Sequence, residues 1–218
     1  MHTVEEQFYI PLVDLSLDVD RIKQEIYRFV HPIHGDYALT CLEKDQNVVN
    51  FNFKKYSGQR VYTPVSPYLL STGQMDYDLV YWPKFLQNSY IKEAGELIAN
   101  YLDLKSPRCR LSVTADIRKP TTIGFHVDNH TPYRVHVVIE TTEQSIWRFR
   151  QQPGAKIYIL HQPISQHPAL IATGNMEHDI YVPPGHRRLH LWYQFHDSPT
   201  PDQIDKLIEK YKLTKDKL

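Results

Sequence analysis

Between Gly124 and Asp128 the chain reads Gly-Phe-His-Val-Asp, which places a histidine and an aspartate two residues apart. On an extended segment, residues two apart point to the same side. His126 and Asp128 can therefore offer neighbouring ligands to one metal. With a further histidine they would make the 2-His-1-carboxylate set that suits non-haem Fe(II). His34-Gly-Asp36 spells the same pattern, but it follows a predicted helix in a turn-like setting, and no histidine comes after it until His126. It is read as loop. Five histidines are available as the third ligand: His161, His167, His178, His186 and His190. An iron oxygenase of this type that uses 2-oxoglutarate also needs a cation for the far carboxylate, and arginine's planar fork binds a carboxylate through two hydrogen bonds. Of the five, only His178 is followed by an arginine ten residues on, at Arg188. His167 is the rival.

Two strand-like segments carry polar residues in an unusual pattern. Arg134-Val-His136-Val-Val138-Ile-Glu140 puts Arg, His and Glu on one face and Val135, Val137 and Ile139 on the other. Arg188-Leu-His190-Leu-Trp192-Tyr-Gln194 repeats the scheme. An ordinary half-exposed sheet would carry small polar or Lys/Glu residues on its wet face rather than two Arg-x-His pairs. The pattern predicts a barrel with a polar interior and an aliphatic exterior covered by helices. His190, Trp147, Trp192 and Tyr193 are read as interior packing residues.

The covering elements are legible. Helices are expected over 19–30, capped by Asp18 or Asp20, and over about 89–102. A third follows residue 200, where Thr200 and Gln203 form a capping box and Pro201 takes the first helical position. Strands are expected at 37–42, 48–53, 110–118, 133–141, 145–150, 156–160, 169–173, 178–182 and 187–195, with loop at Pro64 and Pro67. The fold class is α+β, mainly β, in one domain. Residues 1–109 form a buttress, 110–199 the β-core and 200–218 a terminal helix.

The composition narrows the function. Twenty-five Lys+Arg balance 25 Asp+Glu, which argues against a phosphate-tracking nucleic-acid binder or a polybasic membrane protein. Two cysteines exclude a disulfide scaffold and a Cys-rich zinc module. The N-terminus lacks the pattern of a signal peptide and no apolar run reaches membrane-spanning length, so a cytoplasmic protein is expected.

His126-Val-Asp128, Arg134-Val-His136, Glu177-His178-Asp-Ile-Tyr and Arg188-Leu-His-Leu-Trp together resemble the aspartyl/asparaginyl β-hydroxylase family, a branch of the Fe(II)/2-oxoglutarate dioxygenases that includes free-proline hydroxylases. The resemblance covers roughly residues 110–199. It implies a double-stranded β-helix, iron held by His126, Asp128 and His178, and 2-oxoglutarate bound by Arg188, with Arg134 and His136 at its iron-proximal end. It further implies O2 as co-substrate, ascorbate as a candidate reductant, and hydroxylation of an amino-acid side chain, free or peptidyl (Asp, Asn or Pro type), with release of succinate and CO2. The family's aspartyl hydroxylases lack the acidic ligand, whereas Asp128 is present here, as in the amino-acid hydroxylases. The 52 residues from His126 to His178 imply an extra hairpin near Pro153-Gly154. The alternative is a non-catalytic protein on the same fold that binds a small acid or a partner protein.

Overall fold

In the computed structural model, the structure describes residues 2–29, 35–40, 61–62, 81–105, 107–115, 118–128, 132–195 and 197–214. The expected strand at 48–53 and the loop at Pro64 and Pro67 lie outside them.

Near the N-terminus run α1 (Val4–Phe8), β1 (Tyr9–Pro11), α2 (Val19–Phe29), β2 (Gly35–Ala38) and β3 (Val61–Tyr62). Then come α3 (Tyr90–Leu102), β4 (Arg108–Ala115), β5 (Thr121–Thr122), β6 (Arg134–Glu140), β7 (Ile146–Arg150) and β8 (Tyr158–His161). The chain continues through β9 (Ala169–Ile171), β10 (Glu177–Val182), β11 (Arg187–Gln194) and α4 (Pro201–Thr214). The caps expected at Asp18 and Thr200 are made, and Ser89 adds one at the start of α3. Asp18 Oδ1 accepts the Arg21 amide at 2.9 Å, Ser89 accepts that of Lys92 at 3.2 Å, and Thr200 and Gln203 exchange backbone–side-chain bonds.

The strands form two sheets, one ordered β1-β9-β6-β11-β4-β2-β3 and the other β5-β10-β7-β8, antiparallel at every pairing except the edge pair β2–β3. From β4 onward the chain passes back and forth between them, so that β9-β6-β11-β4 faces β5-β10-β7-β8. That eight-strand, two-sheet arrangement is the double-stranded β-helix, or jelly roll. The N-terminal segment extends the larger sheet at both edges, β1 on β9 and β2 on β4. The loop expected around Asp36 is therefore strand, because Gly35–Ala38 finds ladder partners along Val113–Arg110. β1, β3, β5 and α1 were not expected. They run two to five residues, too short to show a period.

Side-chain alternation sets the layers. Val135, Val137 and Ile139 of β6 and Leu189, Leu191 and Tyr193 of β11 are buried with Ile22 and Ile26 of α2, Ile91 and Ile98 of α3 and Ile204 and Ile208 of α4. This is the helix-covered aliphatic face read from the sequence. Tyr193 is fully buried and its hydroxyl donates to the Ile91 carbonyl at 2.7 Å. A second core lies between the sheets, where Phe8 of α1 stacks on Phe149 at 4.0 Å with Trp147 edge-on. No helix among the described residues is long and apolar enough to cross a membrane.

Candidate metal centre

β10 brings the cluster together. His126 forms an isolated antiparallel bridge with His178, its amide donating to the His178 carbonyl at 3.0 Å and its carbonyl accepting from the His178 amide at 2.9 Å. Residues paired across such a bridge lie side by side, and the two imidazoles sit 4.3 Å apart. The Asp128 amide is tied to the Thr173 carbonyl at 2.9 Å, which turns the carboxylate toward both rings. One ligand atom from each of His126, Asp128 and His178 falls within 4.8 Å of the others. Asp128 Oδ1 is 3.8 Å from His126 Nε2, and Oδ2 is 3.7 Å from His178 Nε2.

The tautomers suit a metal. His126 Nδ1–H donates to the Gly124 carbonyl at 2.8 Å and His178 Nδ1–H to the Met176 carbonyl at 3.2 Å. Each ring thus keeps its Nε2 lone pair for the common centre, the usual outer support of a ligating histidine. Burial pushes the His178 pKa down to about 4, against a partial upward pull from Asp128, so the ring is neutral at pH 7. Asp128 Oδ2 is buried without an aligned hydrogen-bond donor, although Arg134 Nη1 is ion-paired to it at 2.7 Å. Two imidazoles that each turn Nε2 toward the centre and one carboxylate are a donor set that fits Fe(II).

Behind His126 stands a fully buried carboxylate, Asp179. Its Oδ1 accepts the amides of Ile123 (3.0 Å) and Gly124 (2.8 Å), and its Oδ2 is ion-paired with Arg148. Gly124, at φ 85°, is the residue whose carbonyl holds the His126 ring. Two positions further along the same pair of strands, Glu177 and Arg150 are paired at 2.6 Å.

The cluster opens into a cavity of about 240 Å³ that also takes in Arg134, His136, Trp147, Arg188, His190 and Trp192. Arg188 is 2% exposed, with its guanidinium carbon 5.0 Å from the Trp147 ring centre and its Nη2–H donating to His190 Nδ1 at 2.7 Å. His190 Nε2 and both nitrogens of His136 are buried and meet no protein partner. Burial, reinforced by Arg188, depresses both pKa values far below the ordinary histidine range.

Set against the sequence, the structure brings His126, Asp128, His178, Arg134, His136 and Arg188 to one cavity. His167 is elsewhere, its Nδ1 3.0 Å from the Leu15 carbonyl in a separate surface groove. Three readings change. Glu140 leaves the polar face, because a bulge opposite Leu189/His190 inserts one extra residue in β6. It bonds to Tyr27 and Lys23 of α2 instead. Trp147 and Trp192 line the cavity, and His190 is tied to Arg188 rather than being a plain interior histidine. Asp179 carries no sequence signal of this role beyond its adjacency to His178.

Fold and site together define a double-stranded β-helix with a His-x-Asp…His cluster inside. No protein-family model matches the chain, and no curated protein matches it in sequence. Among solved structures it is similar to a Pseudomonas putida prolyl-4-hydroxylase at 15% identity, over 49% of this chain and 58% of that one, with a TM-score of 0.35. A Burkholderia pseudomallei oxidoreductase of the 2OG-Fe(II) oxygenase family gives 13%, 54%, 56% and 0.36 in the same order. IDO from Bacillus thuringiensis gives 9%, 90%, 98% and 0.45. The match spans little more than half the length of the first two. The strand order, rather than these likenesses, defines the fold.

Proposed function

We propose that the protein is an Fe(II)/2-oxoglutarate-dependent dioxygenase that hydroxylates an amino-acid side chain, free or peptidyl, and releases succinate and CO2. The observation that carries this reading is the meeting of His126, Asp128 and His178 in a cavity that also holds the buried guanidinium of Arg188. His126 and His178 would ligate through Nε2 and Asp128 through a carboxylate oxygen. Iron, when bound, supplies the open coordination positions at which 2-oxoglutarate and O2 react. The remaining work belongs to the chain.

Arg188 takes the far carboxylate of 2-oxoglutarate. Its burial beside Trp147 removes competing water and strengthens a charge-assisted pair. His190 holds the guanidinium through Nδ1 and turns a buried Nε2–H into the cavity as a second donor. His136, neutral and without a protein partner, has an N–H for the iron-proximal end. Arg134, its guanidinium carbon 4.4 Å from the Trp192 ring centre, steadies Asp128.

That same ion pair favours a second reading, in which Arg134 takes the place of a metal and the cavity binds a small acid without turnover. Anaerobic titration with Fe(II) and then 2-oxoglutarate, followed by visible absorption, separates the two. A charge-transfer band that needs both additions, survives in His167→Ala and is lost in His178→Ala supports the dioxygenase. No band in the wild-type protein leaves the binding protein.

A further inference from the structure

A buried polar group that finds no partner costs its full desolvation, so each one in a cavity wall needs an account. His126 and His178 spend Nδ1–H on backbone carbonyls, Arg134 pairs with Asp128, and Arg188 bonds to His190. Among the described residues, three uncharged side chains of the lining keep buried atoms that meet no protein partner. They are His190 through Nε2, His136 through both ring nitrogens, and Thr173 through Oγ1. The cosubstrate gives the two histidines a task. Thr173, only 1% exposed, has none.

Thr173 lies in the turn between β9 and β10. Its amide donates to the Ile171 carbonyl at 2.9 Å and its carbonyl accepts the Asp128 amide at 2.9 Å. Three residues on, the Met176 carbonyl holds the His178 ring at 3.2 Å. A threonine hydroxyl often turns to a nearby carbonyl, but the carbonyls of this turn are taken up in holding Asp128 and His178. Ile171 stands opposite Arg134 at the start of β6, and Leu189, next to Arg188, stands opposite Glu140 at its end. Those two levels are roughly 20 Å apart along a strand. The Thr173 backbone therefore lies at the metal end of the cavity and that of Arg188 at the other, and the metal end is where a reacting carbon must come. Resting on the reading of the site as an Fe(II)/2-oxoglutarate dioxygenase, we propose that the Thr173 hydroxyl hydrogen-bonds a polar group of the substrate beside the carbon to be hydroxylated. The substrate class is then a side chain with an amide, carboxyl or hydroxyl next to that carbon, and not a hydrocarbon one of the prolyl type. A site with a buried hydrogen-bonding group rejects an isostere that leaves it unpaired, whereas an apolar site distinguishes the two weakly.

The test uses two pairs matched in shape, L-asparagine with L-leucine and L-threonine with L-valine. Each is supplied as the free amino acid and as its N-acetyl methylamide, which separates a free from a peptidyl substrate. Binding is read twice: by tryptophan fluorescence in the metal-free protein, and by the shift of the absorption band in protein loaded with Fe(II) and 2-oxoglutarate. Wild-type protein is expected to prefer the polar member of at least one pair by tenfold or more. Thr173→Val reduces that preference to within twofold, Thr173→Ser keeps it, and both take up 2-oxoglutarate as wild type does. The surface variant Lys156→Gln keeps the full preference. Thr173→Ala, read in the same way, stands in if the valine variant does not fold. Equal binding within both pairs, no binding of any probe, or a polar preference surviving in Thr173→Val overturns the proposal. Weaker 2-oxoglutarate binding in Thr173→Val with the preference intact assigns the hydroxyl to the cosubstrate and overturns it too. If the iron band never forms yet fluorescence shows the Thr173-dependent preference, the dioxygenase reading fails while the polar subsite stands.

Discussion

Asp179→Asn tests whether a metal ligand is posed by a residue that never touches the metal. The wild-type carboxylate accepts two backbone amides, from Ile123 and Gly124, and pairs with Arg148. The Gly124 carbonyl then holds His126 Nδ1–H. The amide side chain preserves shape but removes the charge, and its NH2 must face either Arg148 or the backbone amides. Breaking a fully buried ion pair costs about 3–5 kcal/mol. Arg148 is one-third exposed (34%) and can turn to water, so that cost is discounted to about 2 kcal/mol, the range of one hydrogen bond to a charged group. Loss of such outer support also weakens metal binding by about 10–100-fold. Urea unfolding of the metal-free protein gives the first quantity, and calorimetric titration with Fe(II) under anaerobic conditions the second. Glu177→Gln is the control: it breaks the neighbouring cross-strand pair but leaves the Asp179–Gly124–His126 hydrogen bonds in place and should leave metal affinity within twofold. If Asp179→Asn loses stability but binds metal as tightly as wild type, the chain from Asp179 through Gly124 to His126 carries no positioning and the reasoning fails.

Replacing His190 with Phe removes the Nδ1 acceptor of Arg188 and should weaken 2-oxoglutarate tenfold or more in the anaerobic titration, with metal affinity unchanged; an unaltered cosubstrate curve refutes the role. Gly95→Ala puts a methyl 2.8 Å from Tyr193 Cε1, in a ring that is buried and pinned to Ile91. A loss of about 1–3 kcal/mol is expected by urea denaturation. His136 and His190 are neutral in the fold, with pKa values depressed by burial and then by Arg188, whereas both titrate near 6.5 when unfolded. Their contribution is present above pH 6.5 and is lost as pH falls toward the folded values, because the unfolded chain takes up the protons first. The slope for the two approaches about 3 kcal/mol per pH unit well below 6.5, measurable as falling urea midpoints of metal-free protein between pH 7 and 5. His178 adds to the loss down to its folded value of about 4.

Local chemistry was legible where one residue type dictates one geometry. Asp18, Ser89 and Thr200 mark helix starts because short oxygen-bearing side chains satisfy first-turn amides, and all three helices begin there. Alternation along 134–138 and 188–192 separated the cavity face from the helix-covered face because the strand period is two. The spacing of His126, Asp128, His178 and Arg188 pointed to residues that do share one cavity.

The remainder depended on partners distant in sequence. A bulge moved Glu140 to α2 because register is a property of two strands together. α1 was invisible as a five-residue segment, yet Phe8 fills the space between the sheets by stacking on Phe149. Asp179 holds His126 only because β10 lies under the 123–125 segment, and Arg110 shares a cavity with Arg188 only because β4 pairs with β11. Residue type and period therefore determined which side chains were suited to the chemistry and which face each took. The packing of the two sheets decided which of them meet, because a strand fixes direction along its own axis and only its neighbours fix what stands opposite.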